Sequence, residues 1–381
     1  MSKGDSTMAM AKTQLDNGQA EFTDNGGALR SPWKMAWRKL RRHKLAVMGM
    51  WVLILLHIFA IFADFFAPYS EVNTDRRRTY HPPTKIHIFH EGKLVRPFVY
   101  GYQRVDTLRN IYEEDTSQMY PIYFFVRGDK YNILGFESDL RLFGVEAPGR
   151  IYLFGADRYG RDIFSRLAYG GRRSLFIGVI GLVVSMSIGL IYGGVSGYFG
   201  GWVDNIMMRI AEIIISVPSF YLLLALSAVL PPNIPSDKRF MLIVFILAFI
   251  GWAGLARVIR GMVLSIRQTE FVAGAEAIGA SQPRIIIRHI LPNTMSYVIV
   301  NATLSIPSFI LSESGLSFIG VGIQHPLASW GNMLSEALNL SSLTRYPWLL
   351  VPGFFIFVTV LSYSFFGDGL RDALDPRSRT V

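Results

Sequence analysis

The chain has 381 residues, of which 51% are hydrophobic and only 17% are charged, and its mean hydropathy is +0.31. This composition is too apolar for a water-soluble protein of this length. The formal net charge of +10 does not indicate nucleic-acid binding, because the basic residues are concentrated beside apolar runs and no basic recognition fold is present. The absence of cysteine excludes disulfides and thiolate metal sites.

Six apolar runs are long enough to cross a bilayer. A hydrocarbon layer of ~30 Å needs about 20 residues of a helix that rises ~1.5 Å per residue. The predicted spans are residues 45–66, 175–199, 206–230, 240–258, 294–319 and 348–366. Arg209 and Glu212 lie in the first turns of the third run. Three positions apart on one helical face, they are interpreted as a structural polar pair.

The basic residues around the first run predict its orientation. Arg38, Lys39, Arg41, Arg42 and Lys44 precede it, as expected of a cytoplasmic flank, and six crossings then return the C-terminus to the cytoplasm. The arginines at 158, 161, 166, 172 and 173 oppose this topology, because they lie on the side assigned as external. The predicted division is a partly disordered N-terminal segment 1–44, a first span 45–66, an extracytoplasmic insertion with an amphipathic helix 67–173, a core of five spans 174–371 with a cytoplasmic loop 259–293, and a tail 372–381.

The insertion is expected to form short strands and turns. Alternating residues predict strands at 120–125, 133–136 and 151–154, with turns at Gly128-Asp129 and Pro148-Gly149. Residues 161–175 have apolar positions at helical spacing, which predicts an amphipathic helix on the membrane surface. The insertion could contact a partner, form a scaffold or gate entry, and the sequence does not decide between these roles.

Glycines in the second run satisfy the small-xxx-small spacing that lets helices approach closely. Gly189, Gly193 and Gly197 follow each other at intervals of four. Packing inside one subunit and a seam between two subunits are both compatible with this pattern.

The cytoplasmic loop contains two short helical patterns separated by Gly279. The first, residues 268–278, is rich in small residues, so its surface is smooth enough to enter a groove on a partner. Pro283 suits the first turn of the second helix, which is expected to end at Leu291-Pro292. A helix-turn-helix of this kind can transmit movement from a soluble motor to the spans. The sequence contains no Gly-x-x-x-x-Gly-Lys-Ser/Thr motif, so the chain is not expected to hydrolyse ATP alone.

Four stretches together resemble one known family. They are Phe271 to Ala275 with Gly279 and Ile290-Leu291-Pro292; Gly155 to Asp162; Asp204, Met208-Arg209, Glu212 and Pro218; and Glu313, Leu316 to Gly322, Pro326 and Ser329-Trp330-Gly331. In this order they resemble the binding-protein-dependent ABC importer permeases, and within them the C-type permease of oligopeptide and dipeptide importers. The chain departs from the family at Ala273 and Gly274, which replace glutamate and alanine.

The resemblance implies an all-α polytopic membrane protein of the type I ABC importer (MetI-like) architecture, with six spans and an insertion between spans 1 and 2. It implies a heterodimer with a second homologous permease, two ABC ATPase subunits and an extracytoplasmic solute-binding protein. The expected location is a bacterial or archaeal inner membrane, with both termini cytoplasmic. This chain would be non-catalytic and bind no cofactor, while ATP and Mg²⁺ would be held by the partner subunits.

The expected cargo is an oligopeptide or dipeptide, with sugar oligomers, peptide-like antibiotics and nickel chelates as alternatives. The residues expected to couple to the ATPases are Phe271, Val272, Ala273, Gly274, Ala275, Glu276, Ala277, Ile278, Gly279, Ala280, Pro283 and Arg284. Glu313, Ser317 and Phe318 are candidates for the pathway or its gate, with a structural hydrogen bond as the alternative for Glu313. A membrane enzyme would need clustered acids or histidines in the spans, and a receptor would need an output domain.

Overall fold

The computed structural model describes residues 32–374 except positions 108, 134 and 232. The expectations for residues 1–31 and for the tail from residue 375 onward lie outside these described residues. The helices are α1 Pro32–Arg42, α2 Lys44–Ile61, α3 Ala63–Phe66, α4 Ile163–Phe199, α5 Gly201–Ser216, α6 Ser219–Ala228, α7 Ser236–Ile266, α8 Glu270–Ala277, α9 Gln282–Arg284, α10 Met295–Phe318, α11 Trp330–Leu334, α12 Leu340–Arg345 and α13 Val351–Leu374. The strands are β1 His87–His90, β2 Lys93–Asp106, β3 Ile111–Ile133 and β4 Phe136–Val145.

The helical bundle has the predicted membrane character. Five helical segments of the described chain are long and apolar enough to cross a bilayer: Lys44–Ile61, Ile163–Phe199, Ser236–Ile266, Gln282–Phe318 and Pro347–Leu374. The third predicted span differs from expectation, because α5 and α6 are bent by 82° at Val217 and Pro218. Proline has no N–H to donate and its ring collides with the preceding turn, so the run does not continue as one straight helix.

Helix α4 is longer than the predicted second span, since its 37 residues include the segment expected to form a separate surface helix. Asp162 caps it by accepting a hydrogen bond of 2.8 Å from the Ser165 N–H. The apolar side chains of Ile163 and Leu167 are buried in the bundle core. The expectation of a separate amphipathic helix is therefore wrong, because its apolar face packs against protein and the helix continues directly into the span.

The glycines of α4 allow it to pack closely on α7. A Cβ atom on Gly197 would lie 2.7 Å from the Arg260 carbonyl oxygen, and one on Gly189 would lie 3.0 Å from the Trp252 carbonyl oxygen. Neither position has room for a side chain without movement of the α7 backbone. This face of α4 thus packs inside the subunit.

The insertion contains a four-stranded antiparallel sheet in the order β1-β2-β3-β4. Residues 120–125 lie within β3, and Ile133 of β3 pairs with Phe136 of β4 at the end of the hairpin. Residues 151–154 do not form the predicted strand, because side chains satisfy their backbone: the Ile151 N–H donates to Tyr69 Oη and the Tyr152 N–H to Thr84 Oγ1, both at 2.9 Å. Gly128-Asp129 is an irregularity inside β3 and not a turn.

The end of the bundle that carries this sheet, called the insertion end, contains the arginines that opposed the charge rule. Arg172 lies 2.7 Å from Asp64, and Arg173 lies 2.7 Å from Glu71. The other three belong to a cluster called the insertion-end ion network, which consists of Asp157, Arg158, Arg161, Arg166 and Glu336. Each arginine has a carboxylate partner, so the local charge is largely neutralised in the folded protein.

Candidate functional site

Helix α8 lies at the end of the bundle opposite the sheet, here called the loop end. The helix is anchored on one side by Val272 and Ala275, which are buried in an apolar cluster with Val263, Ile285 and Ile290. The helix begins after Thr269. The carbonyl oxygen of Thr269 accepts the first hydrogen bond of the helix, which the Val272 N–H donates at 3.1 Å. One face of the helix is thus fixed to the bundle.

The opposite face of α8 and the residue after it are apolar and exposed. Phe271 is 48% exposed and Ile278 is 86% exposed, and the small residues Ala273, Gly274 and Ala277 lie exposed between them. A contiguous apolar surface of this kind on a fixed helix marks an interaction site. Ala273, at the position where the resembled family has glutamate, offers only a methyl group to a partner.

Gly279 ends the helix in the left-handed region of backbone conformation, with φ of +79°. Its N–H donates to the Glu276 carbonyl oxygen at 2.9 Å, and the Ala280 N–H donates to the Ala275 carbonyl oxygen at 3.1 Å. Glycine adopts this conformation without steric cost, so it can reverse the chain directly after the exposed face. The predicted separation of two helices at Gly279 is confirmed.

The second helical pattern begins as predicted but does not end as predicted. Pro283 lies in the first turn of α9, where its missing N–H is not needed. The chain then remains helical through a π-helical segment, Ile285–Ile290, and a 3₁₀ turn, Leu291–Thr294, before α10. The expected end at Leu291-Pro292 is wrong, because Pro292 also lies in the first turn of its segment, where a missing donor is tolerated.

Two polar contacts join the loop end to α4 and α5. Tyr198 Oη donates to Glu276 Oε1 at 2.9 Å, which ties α8 to the last turn of α4. Asp204 accepts from Arg260 Nε at 3.0 Å and from Ser196 Oγ at 2.5 Å, which ties α5 to α7 and α4. Helix α8 is therefore joined to α4 by a side-chain hydrogen bond.

The predicted gate residues lie near the insertion end. Glu313 is fully buried and accepts hydrogen bonds from Ser174 Oγ at 3.1 Å and from Ser317 Oγ at 2.7 Å. Ser174 Oγ also accepts from the Trp330 N–H at 3.1 Å, so the carboxylate joins α4, α10 and α11. Glu313, Ser317 and Phe318 are absent from the lining of the cavity described below.

Arg209 Nη1 lies 3.3 Å from Glu212 Oε2, so the two residues predicted to pair on α5 contact each other. The arginine side chain is 78% exposed in the single chain. No group of three or more histidines, aspartates or glutamates that could hold a metal ion occurs among the residues that the structure describes.

A partly open cavity of about 190 Å³ lies between α4, α6, α7 and α10, and its lining residues Ser219, Gly251 and Ser308 are exposed in the single chain. Its apolar walls are formed mainly by leucine and isoleucine, together with Met186 and Phe309. Six uncharged polar residues complete the lining: Ser185, Ser219, Asn301, Ser305, Ser308 and Ser312. The sequence analysis missed this site, although the spacing of four, three and four residues along α10 could have revealed a polar face on an apolar helix.

Comparisons with known proteins place this geometry in a family. Residues 185–380 match the family described as the binding-protein-dependent transport system inner membrane component. Residues 31–83 match the N-terminal transmembrane domain of oligopeptide transport permease C. These matches confirm the MetI-like architecture that the resemblance implied.

Three curated relatives agree with both matches. The chain is 35% identical over 350 residues to the oligopeptide transport system permease protein OppC of Bacillus subtilis (strain 168), covering 92% of this chain and 91% of that protein. It is 34% identical over 345 residues to the dipeptide transport system permease protein DppC of the same strain, covering 90% and 85%. It is 44% identical over 229 residues to OppC of Haemophilus influenzae, covering 60% and 71%.

The apolar helices and these relatives establish a multi-pass protein of the inner membrane, a transport permease subunit from a family that works with ATPase and solute-binding partners. The chain belongs to the inner-membrane permease family of binding-protein-dependent ABC importers.

Proposed function

We propose that this chain forms one half of the translocation pathway of an ATP-driven importer of oligopeptides or dipeptides, which works by alternating access. The names of the relatives support the peptide cargo. The cavity supports a route through the bundle, because its polar groups lie among apolar helices at membrane depth.

The single observation that supports energy coupling through this chain is the exposed apolar face of α8. Ile278 directly follows the helix and is 86% exposed, whereas Val272 and Ala275 on the other face of α8 are buried. In this proposal Phe271 and Ile278 enter a groove on an ATPase subunit, and the small residues between them allow close approach. The Tyr198–Glu276 hydrogen bond then passes the movement to α4.

The proposed orientation places the loop end and both termini in the cytoplasm and the sheet outside. The basic last turn of α1, with Lys39, Arg41 and Arg42, supports a cytoplasmic N-terminus under the positive-inside rule. A second, homologous permease completes the pathway, two ATPase subunits bind ATP and Mg²⁺, and a solute-binding protein delivers cargo at the insertion end. This chain itself binds no cofactor in the proposed cycle.

The test is co-purification of the tagged chain with its candidate partners, followed by ATPase assays in lipid nanodiscs with binding protein and peptide. Ile278→Ser is expected to reduce peptide-stimulated ATPase activity at least 10-fold, because it removes the most exposed apolar side chain of the docking face. The matched control is Ile287→Ser, since Ile287 is also an exposed isoleucine, at 67%, but lies nine positions farther along the chain.

Two results would refute the proposal in different places. Equal stimulation in Ile278→Ser and Ile287→Ser would remove the coupling role of α8. Stimulation by a sugar oligomer or a nickel chelate, with none by any peptide, would leave the permease assignment intact and reject the peptide cargo.

A further inference from the structure

Helix α10 carries a polar stripe toward the cavity. Asn301, Ser305, Ser308 and Ser312 are spaced by four, three and four residues, and all four line the cavity. Eleven residues of helix span about 16 Å at ~1.5 Å per residue. The stripe is thus as long as four to five residues of an extended peptide at ~3.3 Å each, whereas the cavity of about 190 Å³ has room for only a short stretch of backbone, so the rest of the peptide extends beyond it.

The polar groups of the cavity have hydrogen-bonding capacity to spare. Ser305 Oγ donates to the Asn301 carbonyl oxygen at 2.7 Å. Within the described chain, the side chains of Asn301, Ser308 and Ser312 have no hydrogen-bond partner, and the same is true of Ser185 on the facing wall, which is only 4% exposed. Of these four side chains only that of Ser185 is buried, and because buried hydroxyl groups are normally paired, it indicates a polar occupant, either water or cargo.

The broken third span adds backbone donors at the same place. Ser219, the first residue of α6, lines the cavity, and α6 begins after Pro218 with no side-chain cap. The first N–H groups of a helix have no partner within the helix and carry the positive end of its dipole. Half-helices that begin inside a membrane bundle present such donors to oxygen atoms of a ligand.

Charge is absent from this lining. None of the described residues around the cavity is aspartate, glutamate, lysine, arginine or histidine. A site built to recognise a charged side chain would need a countercharge, because an unpaired charge is costly away from water. Neutral amide and hydroxyl groups instead match the donors and acceptors of a peptide backbone, whatever side chains it carries.

We infer that this cavity is a binding site for the backbone of an extended peptide in transit, with the α10 stripe and Ser185 as side-chain partners and the start of α6 as a source of N–H donors. The inference depends on the proposed peptide cargo and adds where and how this subunit holds it. The uncharged lining makes the site tolerant of peptide sequence. In this inference, other parts of the transporter determine which peptides are selected.

The experiment uses the complete transporter in nanodiscs and site-directed thiol labelling. The chain contains no cysteine, so Ser308→Cys and Ser312→Cys each introduce a single thiol into this subunit. After labelling, the subunits of the transporter are separated by mass, so that only the label on this subunit is measured. Both are expected to react with a small water-soluble thiol reagent, and an uncharged tetrapeptide under turnover should slow the reaction at least 5-fold. Ser187→Cys is the control, because Ser187 lies on α4 outside the cavity lining and its hydroxyl bonds the Val183 carbonyl oxygen.

A second measurement tests tolerance of charge. Ser308→Asp is expected to lower the import of glutamate-rich tetrapeptides at least 10-fold relative to lysine-rich ones, whereas Ser187→Asp should leave this ratio as in wild type. The inference would be overturned if the transporter imports the tetrapeptide but the thiols at both positions either fail to react or react equally fast with and without the peptide. A wild-type transporter that imports no peptide would instead reject the proposed function, and import of another solute would identify its cargo.

Discussion

The two ends of the bundle hold their helices together by different means. The insertion end uses buried charges: Asp157, Arg161 and Arg166 lie within ion-pair distance and almost without solvent exposure. The loop end uses apolar packing beneath α8 and leaves Phe271 and Ile278 exposed. Removing one member of a buried ion cluster leaves another charge unpaired, whereas apolar packing loses stability gradually.

This difference separates a rigid end from an adjustable one. Arg173 accounts for part of the rigidity, because it joins Glu71 at 2.7 Å to the Ala328 carbonyl oxygen at 3.0 Å and so links distant segments. At the loop end, α8 is joined to α4 through the Tyr198–Glu276 bond. The proposed coupling through α8 requires a movable element at this end.

The largest effect is expected from Asp157→Ala. The substitution leaves Arg161 and Arg166 buried without their nearest carboxylate, which costs on the order of 3–5 kcal/mol. Thermal unfolding of the detergent-purified transporter measures the loss. Asp139→Ala is the control, because its 3.8 Å pair with Arg127 is exposed and worth less than about 1 kcal/mol. Similar unfolding temperatures for the two variants would show that the insertion end is not held by its buried charges.

The next effect is a pH dependence at Glu336. Burial, together with the nearby Asp157 carboxylate, raises the pKa of Glu336 from 4.5 to about 7. The folded state therefore binds more protons than the unfolded state between these values, and its stability falls as the pH rises through this window. Relative to Glu336→Gln, which cannot ionise, wild type should lose about 2 kcal/mol between pH 5 and pH 8.

Unfolding temperatures of both proteins across this pH range provide the measurement. His325 in the same region changes in the opposite sense, because burial and the neighbouring arginines lower its pKa to about 4, so its contribution to stability grows between about pH 4 and 6.5. Because His325 is present in both wild type and Glu336→Gln, its contribution cancels when the two proteins are compared at the same pH. A wild-type curve parallel to that of Glu336→Gln would contradict the assignment.

A smaller effect is expected from Tyr198→Phe at the loop end. The change removes the hydrogen bond to Glu276, worth about 1 kcal/mol, and keeps the aromatic ring. Amide hydrogen exchange in α8 should become ~5-fold faster, while the unfolding temperature of the transporter changes little. Exchange that accelerates equally at both ends would mean that the bond supports the whole bundle and not α8.

The smallest effect is expected from Arg209→Ala on α5. The pair with Glu212 is exposed and three residues apart, so its loss should change stability by less than about 0.5 kcal/mol. The unfolding temperature of the isolated chain should match wild type. A large loss in the assembled transporter alone would place Arg209 against a partner subunit.

The sequence predicted the features that depend on local periodicity. Apolar runs located the spans, and Gly279 located the reversal after α8, because both signals lie within a few consecutive residues. Pro218 was visible inside the third run and could have predicted the 82° break, since proline removes a helical donor.

Features that depend on distant partners were not predictable. The pairing of Arg172 with Asp64 joins residues 108 positions apart, and no local pattern signals it. Residues 151–154 alternate like a strand, but Tyr69 and Thr84 provide hydrogen bonds in place of a neighbouring strand. The cavity is formed by the α10 stripe together with walls from α4, α6 and α7. Its prediction would have required knowledge of how these helices pack in the bundle.

The length of α4 has a mechanical consequence. Its 37 residues form a rod of about 55 Å, with the buried insertion-end charges at one tip and the Tyr198–Glu276 bond at the other. A lever of this length that pivots about one tip by about 10° carries the other tip through about 10 Å. In the proposed transport cycle, a rotation of this size about the ion-paired tip would give the loop end of α4 a stroke large enough to admit or exclude a peptide.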